Sequence, residues 1–179
     1  MRTARTLAAS LLAAVLTQVR MSHAGPTDTP LPTFSDGKPA VAVYTAVGVI
    51  KNNNLETDFL CTNFDSVAVD IGLEVFDETG ALRNSIVAGS GALLNVPPGK
   101  TVTIGTAGTA VLHEDQTLTL NTAGTGANQL RNGSGRVVGT SKNISCTALV
   151  LDKLHTIEDP ATSSLPPPPV ANLPLIKLP

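Results

Sequence analysis

Residues 67–77 constrain the fold more than any other stretch of the chain. They read Val67-Ala68-Val69-Asp70-Ile71-Gly72-Leu73-Glu74-Val75-Phe76-Asp77. Val67, Val69, Ile71, Leu73 and Val75 recur at every second position, with Ala68, Asp70, Gly72 and Glu74 between them. A helix would scatter that apolar set around its circumference, whereas a strand puts all of it on one side. The stretch predicts a strand with a core face and a wet face, the latter carrying Asp70 and Glu74.

The same period of two recurs at Thr101-Val102-Thr103-Ile104 and Thr117-Leu118-Thr119-Leu120. Further strands are expected at residues 41–50, 59–64, 83–88, 91–96, 107–113, 136–140 and 143–152. Turn chemistry separates them. Asp77-Glu78-Thr79-Gly80 supplies a glycine for positive φ, and Pro97-Pro98-Gly99-Lys100 has the proline–glycine order of a type II turn. Asn132-Gly133 is a hairpin signal. Residues 121–135, rich in Gly, Thr and Asn, form the longest expected loop. About eight to ten short strands without an amphipathic helix between them predict an all-β, antiparallel sandwich with Pro-rich terminal extensions.

The ends read differently from the middle. Arg2 and Arg5 precede an apolar run over residues 7–19, and Ser22-His23-Ala24 supplies a small-x-small cleavage site before Gly25. That is the pattern of a secretory signal peptide, too short to span a bilayer. Cleavage after Ala24 removes three basic residues and takes the net charge from −2 to −5. The expected organisation is a signal peptide (1–24), a Pro-rich lead-in (25–40), a β-sandwich domain (41–155), a Pro-rich linker (156–169) and an apolar tail (170–179). No second run of spanning length follows, so no membrane span is expected after cleavage. The tail carries Leu173, Leu175, Ile176 and Leu178, too many apolar groups for a solvated terminus. Pro174 and Pro179 suit it to a sheet edge, in its own domain or, by self-association, in another subunit.

Composition removes several functions. A chain with 12 basic against 14 acidic residues has no basic footprint for nucleic acid. Aromatics at 3% disfavour a sugar-stacking site. The two cysteines, Cys61 and Cys146, lie in expected strands, and an exported chain with one such pair is expected to bridge it. Closing a loop of that length would restrict the unfolded chain by about 4–4.5 kcal/mol in the entropy account.

Several of these segments together resemble a set of uncharacterised secreted bacterial proteins. The carrying residues are Phe59-Leu60-Cys61-Thr62-Asn63, Leu73-Glu74-Val75-Phe76-Asp77 with Gly80, Pro97-Pro98-Gly99-Lys100-Thr101, and Cys146-Thr147-Ala148. The likeness covers roughly residues 41–155. At fold level it is similar to immunoglobulin-like and fibronectin-III-like modules, without the core Trp of antibody domains. It implies an Ig-like sandwich and no particular activity.

Chemistry is sparse. Gly89-Ser90-Gly91 and Gly133-Ser134-Gly135 are glycine-flanked serines without the full nucleophile-elbow pattern. Asp77 and Glu78 share one hairpin tip, which gives no cleft for paired acid–base work. His113, Glu114 and Asp115 are the candidate metal ligands, convergent only if the chain bends there. His155 has no evident partner. No catalytic residue and no cofactor are expected. The reading is a secreted, periplasmic or extracellular, non-catalytic module with a structural, adhesive or ligand-binding role and a protein or surface partner. The alternatives are an assembly subunit that donates its tail as a strand, and a metal-binding or hydrolytic domain.

Overall fold

A computed structural model describes residues 25–88, 90–109, 112–120, 128–153 and 170–179. The expected signal peptide, the proline run 166–169, His155 and residues 121–127 of the expected loop lie outside the described residues. The fold is all-β. Its strands are β1 (Val41–Asn52), β2 (Leu55–Asn63), β3 (Val69–Phe76), β4 (Ala92–Val96), β5 (Thr101–Gly105), β6 (Gln116–Thr117), β7 (Leu130–Gly139), β8 (Ile144–Asp152), β9 (Val170–Leu173) and β10 (Leu175–Lys177).

The strands form one hydrogen-bonded sheet with two wings. One runs β4-β3-β7-β1-β10 and the other β6-β5-β2-β8-β9, joined by the β1–β2 hairpin. Every pairing is antiparallel except the short β5–β6 contact. Val43, Val49, Phe59, Ile71, Leu73, Val75, Ile104 and Val137 come from both wings into one core. Phe59 of β2 reaches over β7, where a Cβ on Gly135 would lie 3.1 Å from its Cζ. Cys61 and Cys146 face each other in the β2–β8 register and are joined.

The alternation in β3 is present, but its second face is not wet. All eight residues of β3 are buried. The outer face, with Asp70, Gly72, Glu74 and Phe76, is covered by a second apolar cluster of Phe34, Ala40, Ile86 and Val138. Residues 25–40 are therefore part of the fold. A short helical turn at Gly25–Asp28 starts them, and a Thr33–Pro39 bridge folds Phe34 inward. Val67, expected on the core face, lies before β3 and is exposed.

Arg136 holds this cover in place. It stands opposite Glu74 in the β3–β7 register. Its Nε and Nη2 donate to Glu74 Oε2 at 2.9 and 2.7 Å. Nη1 donates to the carbonyls of Pro26 (2.8 Å) and Thr29 (2.7 Å), and Nη2 to that of Pro30 (3.2 Å). The guanidinium lies 5.6 Å from the centroid of the Phe76 ring. Burial pushes the Glu74 carboxyl up from its ordinary value, while Arg136's hydrogen bond and charge work against that. Asp70 is handled similarly, accepting from Lys38 Nζ (2.9 Å) and Asn95 N (2.7 Å).

Several expected elements differ. The strand expected at 117–120 is reduced to Gln116–Thr117, because Leu118 N already donates to Gly105 O outside the ladder, and residues 130–135 of the expected loop belong to β7. Residues 83–88 are not a strand, because Asn84 replaces the ladder with its side chain. Its Oδ1 accepts from Val75 N and its Nδ2 donates to Leu73 O, both at 2.8 Å. The described part of 107–113 is not strand, and there Leu112 N donates to Thr109 Oγ1 (2.7 Å). Asn132-Gly133 lies inside β7, not at a hairpin. There glycine is needed for close approach, since a Cβ on Gly133 would be 2.5 Å from Leu130 Cδ2 and 2.9 Å from Phe76 O. The two turns expected at 77–80 and 97–100 are present, with Gly80 N bonded to Asp77 O and Lys100 N to Pro97 O. Gly80 and Gly99 have φ of 82° and 74°.

The tail docks on its own domain. β9 adds to β8 and β10 adds to β1, with Pro174 where the chain passes between the two edges. Leu173 and Leu175 pack on the core, whereas Ile176 stays exposed.

Removing one side of the Arg136–Glu74 pair leaves a buried charge without its partner, at a typical cost of about 3–5 kcal/mol. Arg136→Ala is expected to lose stability of that order in urea denaturation and to speed proteolysis within residues 25–40. The joint Arg136→Met, Glu74→Leu change should lose less than Arg136→Ala. Stability of Arg136→Ala within about 1 kcal/mol of wild type would show that the clamp does not hold the cover.

Candidate functional site

The face of β2 opposite the core carries two acids. Phe59 and Cys61 point into the core, so the strand period places Glu56 and Asp58 on the other side. They would be solvated on an open sheet. Instead the segment after β5 folds back over them, and both are fully buried. Its start is fixed by Thr106, whose N donates to Thr57 O and whose Oγ1 accepts from Thr57 N, each at 2.9 Å. Thr106 Oγ1 also donates to Ile50 O at 2.9 Å.

This return brings Glu114 to the pair. Oxygens of Glu56, Asp58 and Glu114 lie within 4.8 Å of one another. Glu114 is anchored by Thr109 N, which donates to its Oε1 at 3.0 Å. None of the four carboxylate oxygens of Glu56 and Asp58 has a donor in full hydrogen-bond geometry, although the Ala107 backbone approaches Glu56 and the Glu114 side chain approaches Asp58. Gly105 stands opposite Asp58 in the β2–β5 register, and a Cβ there would lie 2.3 Å from Asp58 Oδ1, 2.6 Å from Ala107 O and 3.0 Å from Glu114 Cγ. Only glycine permits this close approach of the covering segment to Asp58.

The electrostatics follow from that crowding. Burial, and then the charge of Glu114, pushes Glu56 up to about 7. Burial, and then the charges of Glu56 and Glu114, pushes Asp58 up to about 8. A hydrogen bond from the Ala107 backbone, and then the charges of Lys153 and Lys51, act in the other direction on Glu56. The Lys51 ammonium is already bonded to Leu118 O (3.2 Å) and Asn128 Oδ1 (2.9 Å).

Of the three metal candidates in the sequence, only Glu114 joins this cluster. His113 is exposed. Asp115 turns to β5, where its Oδ2 accepts from Thr103 N at 2.9 Å and its Oδ1 lies 3.6 Å from Lys100 Nζ. Glu56 and Asp58 were not singled out in the sequence. The signal was there as two acids at alternate positions of one strand, opposite its core face, but nothing local shows which loop will cover them.

Among the described residues, Ser90 and Asp77 are held by structural partners, Ser134 lies within a strand, and Glu78 is exposed at the hairpin tip. Ser90 Oγ accepts from Thr119 N (2.8 Å) and donates to Thr119 O (3.2 Å), clipping two loops. Ser134 lies within β7, in register with Val47 and Phe76. Asp77 Oδ1 accepts from Thr79 N, Thr79 Oγ1 and Ala81 N, holding its own hairpin. A cavity of about 380 Å³ lies between the lead-in and the tail, lined by Pro26, Leu31, Val41, Arg136, Lys142 and Leu178 among others. Its two cations are engaged, Arg136 as above and Lys142 by the Pro179 carbonyl. Among the described residues no helix is long and apolar enough to cross a membrane.

No protein-family model matches this chain, and no curated protein or solved structure matches it.

The raised carboxyls give a pH dependence of definite sign. In the folded protein Glu56 and Asp58 keep protons up to about 7 and 8, while their ordinary values are 4.5 and 3.8. Between those limits the folded state binds more protons than the unfolded one, so stability falls as pH rises. The contribution is complete below the ordinary values and lost above about 8. With a chelator present, the protein is expected to lose stability between pH 5 and pH 8.5, by up to about 1.4 kcal/mol per pH unit for each carboxyl that is still protonated in the folded state. Asp58→Asn should flatten that profile and stabilise more at pH 8.5 than at pH 5. Parallel denaturation profiles for wild type and Asp58→Asn would contradict the assignment.

Proposed function

We propose that the chain is an exported, non-catalytic, Ig-like β-sandwich module of the bacterial periplasm or extracellular space, with a structural, adhesive or ligand-binding role. The observation that carries this reading is the tail. β9 and β10 occupy the open edges of β8 and β1 within the same chain. Exposed edges are templates for pairing with other chains, and a domain that covers its own is suited to standing alone. This favours a self-contained module over a subunit that polymerises by giving its tail to a neighbour.

Three further features support the reading. The Cys61–Cys146 bridge suits an oxidising compartment. The packing of Phe59 across Gly135 suits two layers facing one another, as a sandwich requires. Gly25, the first residue after the expected cleavage site, is buried and its N donates to Gly80 O at 3.3 Å. The domain therefore seats its chain from the position where the leader would end.

The exported protein is expected to begin at Gly25 and to behave as a monomer in sedimentation. N-terminal sequencing and solution mass test both points. A membrane-bound form that retains Met1, or a ladder of polymers, would reject the reading. Deleting residues 170–179 should lower the melting temperature and raise the solution mass by opening the β1 and β8 edges. If the truncated protein melts and sediments like the full chain, self-closure by the tail fails as the basis of this reading.

A further inference from the structure

We propose that Glu56, Asp58 and Glu114 form a buried binding site for one hard divalent cation, of the calcium class. The site lies between the outer face of β2 and the segment that returns after β5. It is independent of the functional reading above.

Two observations beyond the clustering of acids point to a ligand. First, Glu56 and Asp58 are fully buried and none of their four carboxylate oxygens has a donor in full hydrogen-bond geometry, with only the Ala107 backbone and the acid Glu114 approaching them. Elsewhere this protein partners its buried acids directly, Glu74 with Arg136 and Asp70 with Lys38 and Asn95. Buried carboxylates without donors are costly unless a charge compensates them. Second, Gly105 lets the covering segment close directly on these carboxylates, since a Cβ at that position would fall 2.3 Å from Asp58 Oδ1, 2.6 Å from Ala107 O and 3.0 Å from Glu114 Cγ.

The chemistry of the donors selects the cation. All three side chains offer carboxylate oxygen, and hard oxygen sets suit calcium, magnesium and manganese over softer metals. Both cysteines are in the disulfide and His113 is exposed and outside the cluster, so among the described residues neither sulfur nor imidazole contributes. Oxygens within 4.8 Å of one another suit a shared ion bound at about 2.3–2.6 Å, the calcium range. Three carboxylates, each able to bind through one or both oxygens, suit calcium's flexible coordination. Magnesium requires a tighter octahedron and usually keeps several waters. Glu114, on the covering segment, links cation binding to the seating of that segment over β2.

The test is calorimetric titration of the chelator-treated, full mature protein with calcium chloride, together with melting curves. At a Kd of about 10⁻⁴–10⁻³ M, the range of extracellular calcium modules, 10 mM calcium should shift the folding equilibrium roughly 10- to 100-fold towards the folded state. Binding should weaken at least about tenfold in Glu114→Gln and in Asp58→Asn, while Glu78→Gln, at the exposed hairpin tip, should bind like wild type. The wild-type titration decides even if a cluster variant does not fold. Absence of both binding heat and a melting shift up to 10 mM calcium would overturn the site. Tighter binding of magnesium or zinc than of calcium would overturn the assigned class. Undiminished calcium binding by Glu114→Gln and Asp58→Asn would place the ion elsewhere and overturn the proposal.

Discussion

The guanidinium of Arg136 carries the largest structural responsibility in this protein. β3 lies with both faces buried, so its outer side must accommodate Asp70 and Glu74 away from water. A carboxylate in that position needs a cation with matching geometry, and arginine supplies several donors in a fixed plane. Arg136 meets Glu74 across the strand pair and spends its remaining donors on three carbonyls of the lead-in. One side chain thus neutralises the buried acid and fastens the segment that buries it. Phe34 and Ile86 then find an apolar surface in Gly72 and Val138. The second small core depends on that fastening.

β2 repeats the architecture with different chemistry. It too is a central strand, between β5 and β8, and its outer face is covered by a returning segment. The covered acids there are Glu56 and Asp58, but the cover brings another acid, Glu114, in place of an arginine. Fold and electrostatics therefore pull in opposite directions at this point. Protons relieve the conflict at low pH, and a bound cation would relieve it at neutral pH. The contrast between the two faces makes the carboxylate cluster informative, because the same chain partners equally buried acids when stability alone is at stake.

The sequence made the strands legible and left the covers hidden. Period-two runs located β1, β3, β5 and β8 closely, and the turns at Gly80 and Gly99 followed from glycine's access to positive φ. The cysteine pair was also readable. What alternation cannot show is whether a polar face meets water or another segment, and so Asp70 and Glu74 were expected to be wet. Residues 25–40 resembled an extended lead-in because four prolines dominate their composition, although Phe34 is a core residue. Asn132-Gly133 read as a hairpin because the same glycine freedom that permits a turn also permits close packing inside β7. Glu56 and Asp58 were unmarked, since their meaning depends on Glu114 arriving from a distant segment. In each case the missing information was long-range.

The tail completes this pattern from the opposite end of the chain. Leu173 and Leu175 fall on either side of Pro174 and both pack on the core, so the proline interrupts no ladder bond that either strand requires. It marks the step from the β8 edge to the β1 edge. The disulfide lies in the same neighbourhood, fixing β8 to β2 beside the edge that β9 covers. A strand added to a mobile edge would gain little, because its amides need partners held in register. Holding β8 covalently makes its outer edge a defined template, which favours docking of the tail in its own domain. The bridge thus acts twice, by restricting the unfolded chain and by presenting the edge that the last residues close.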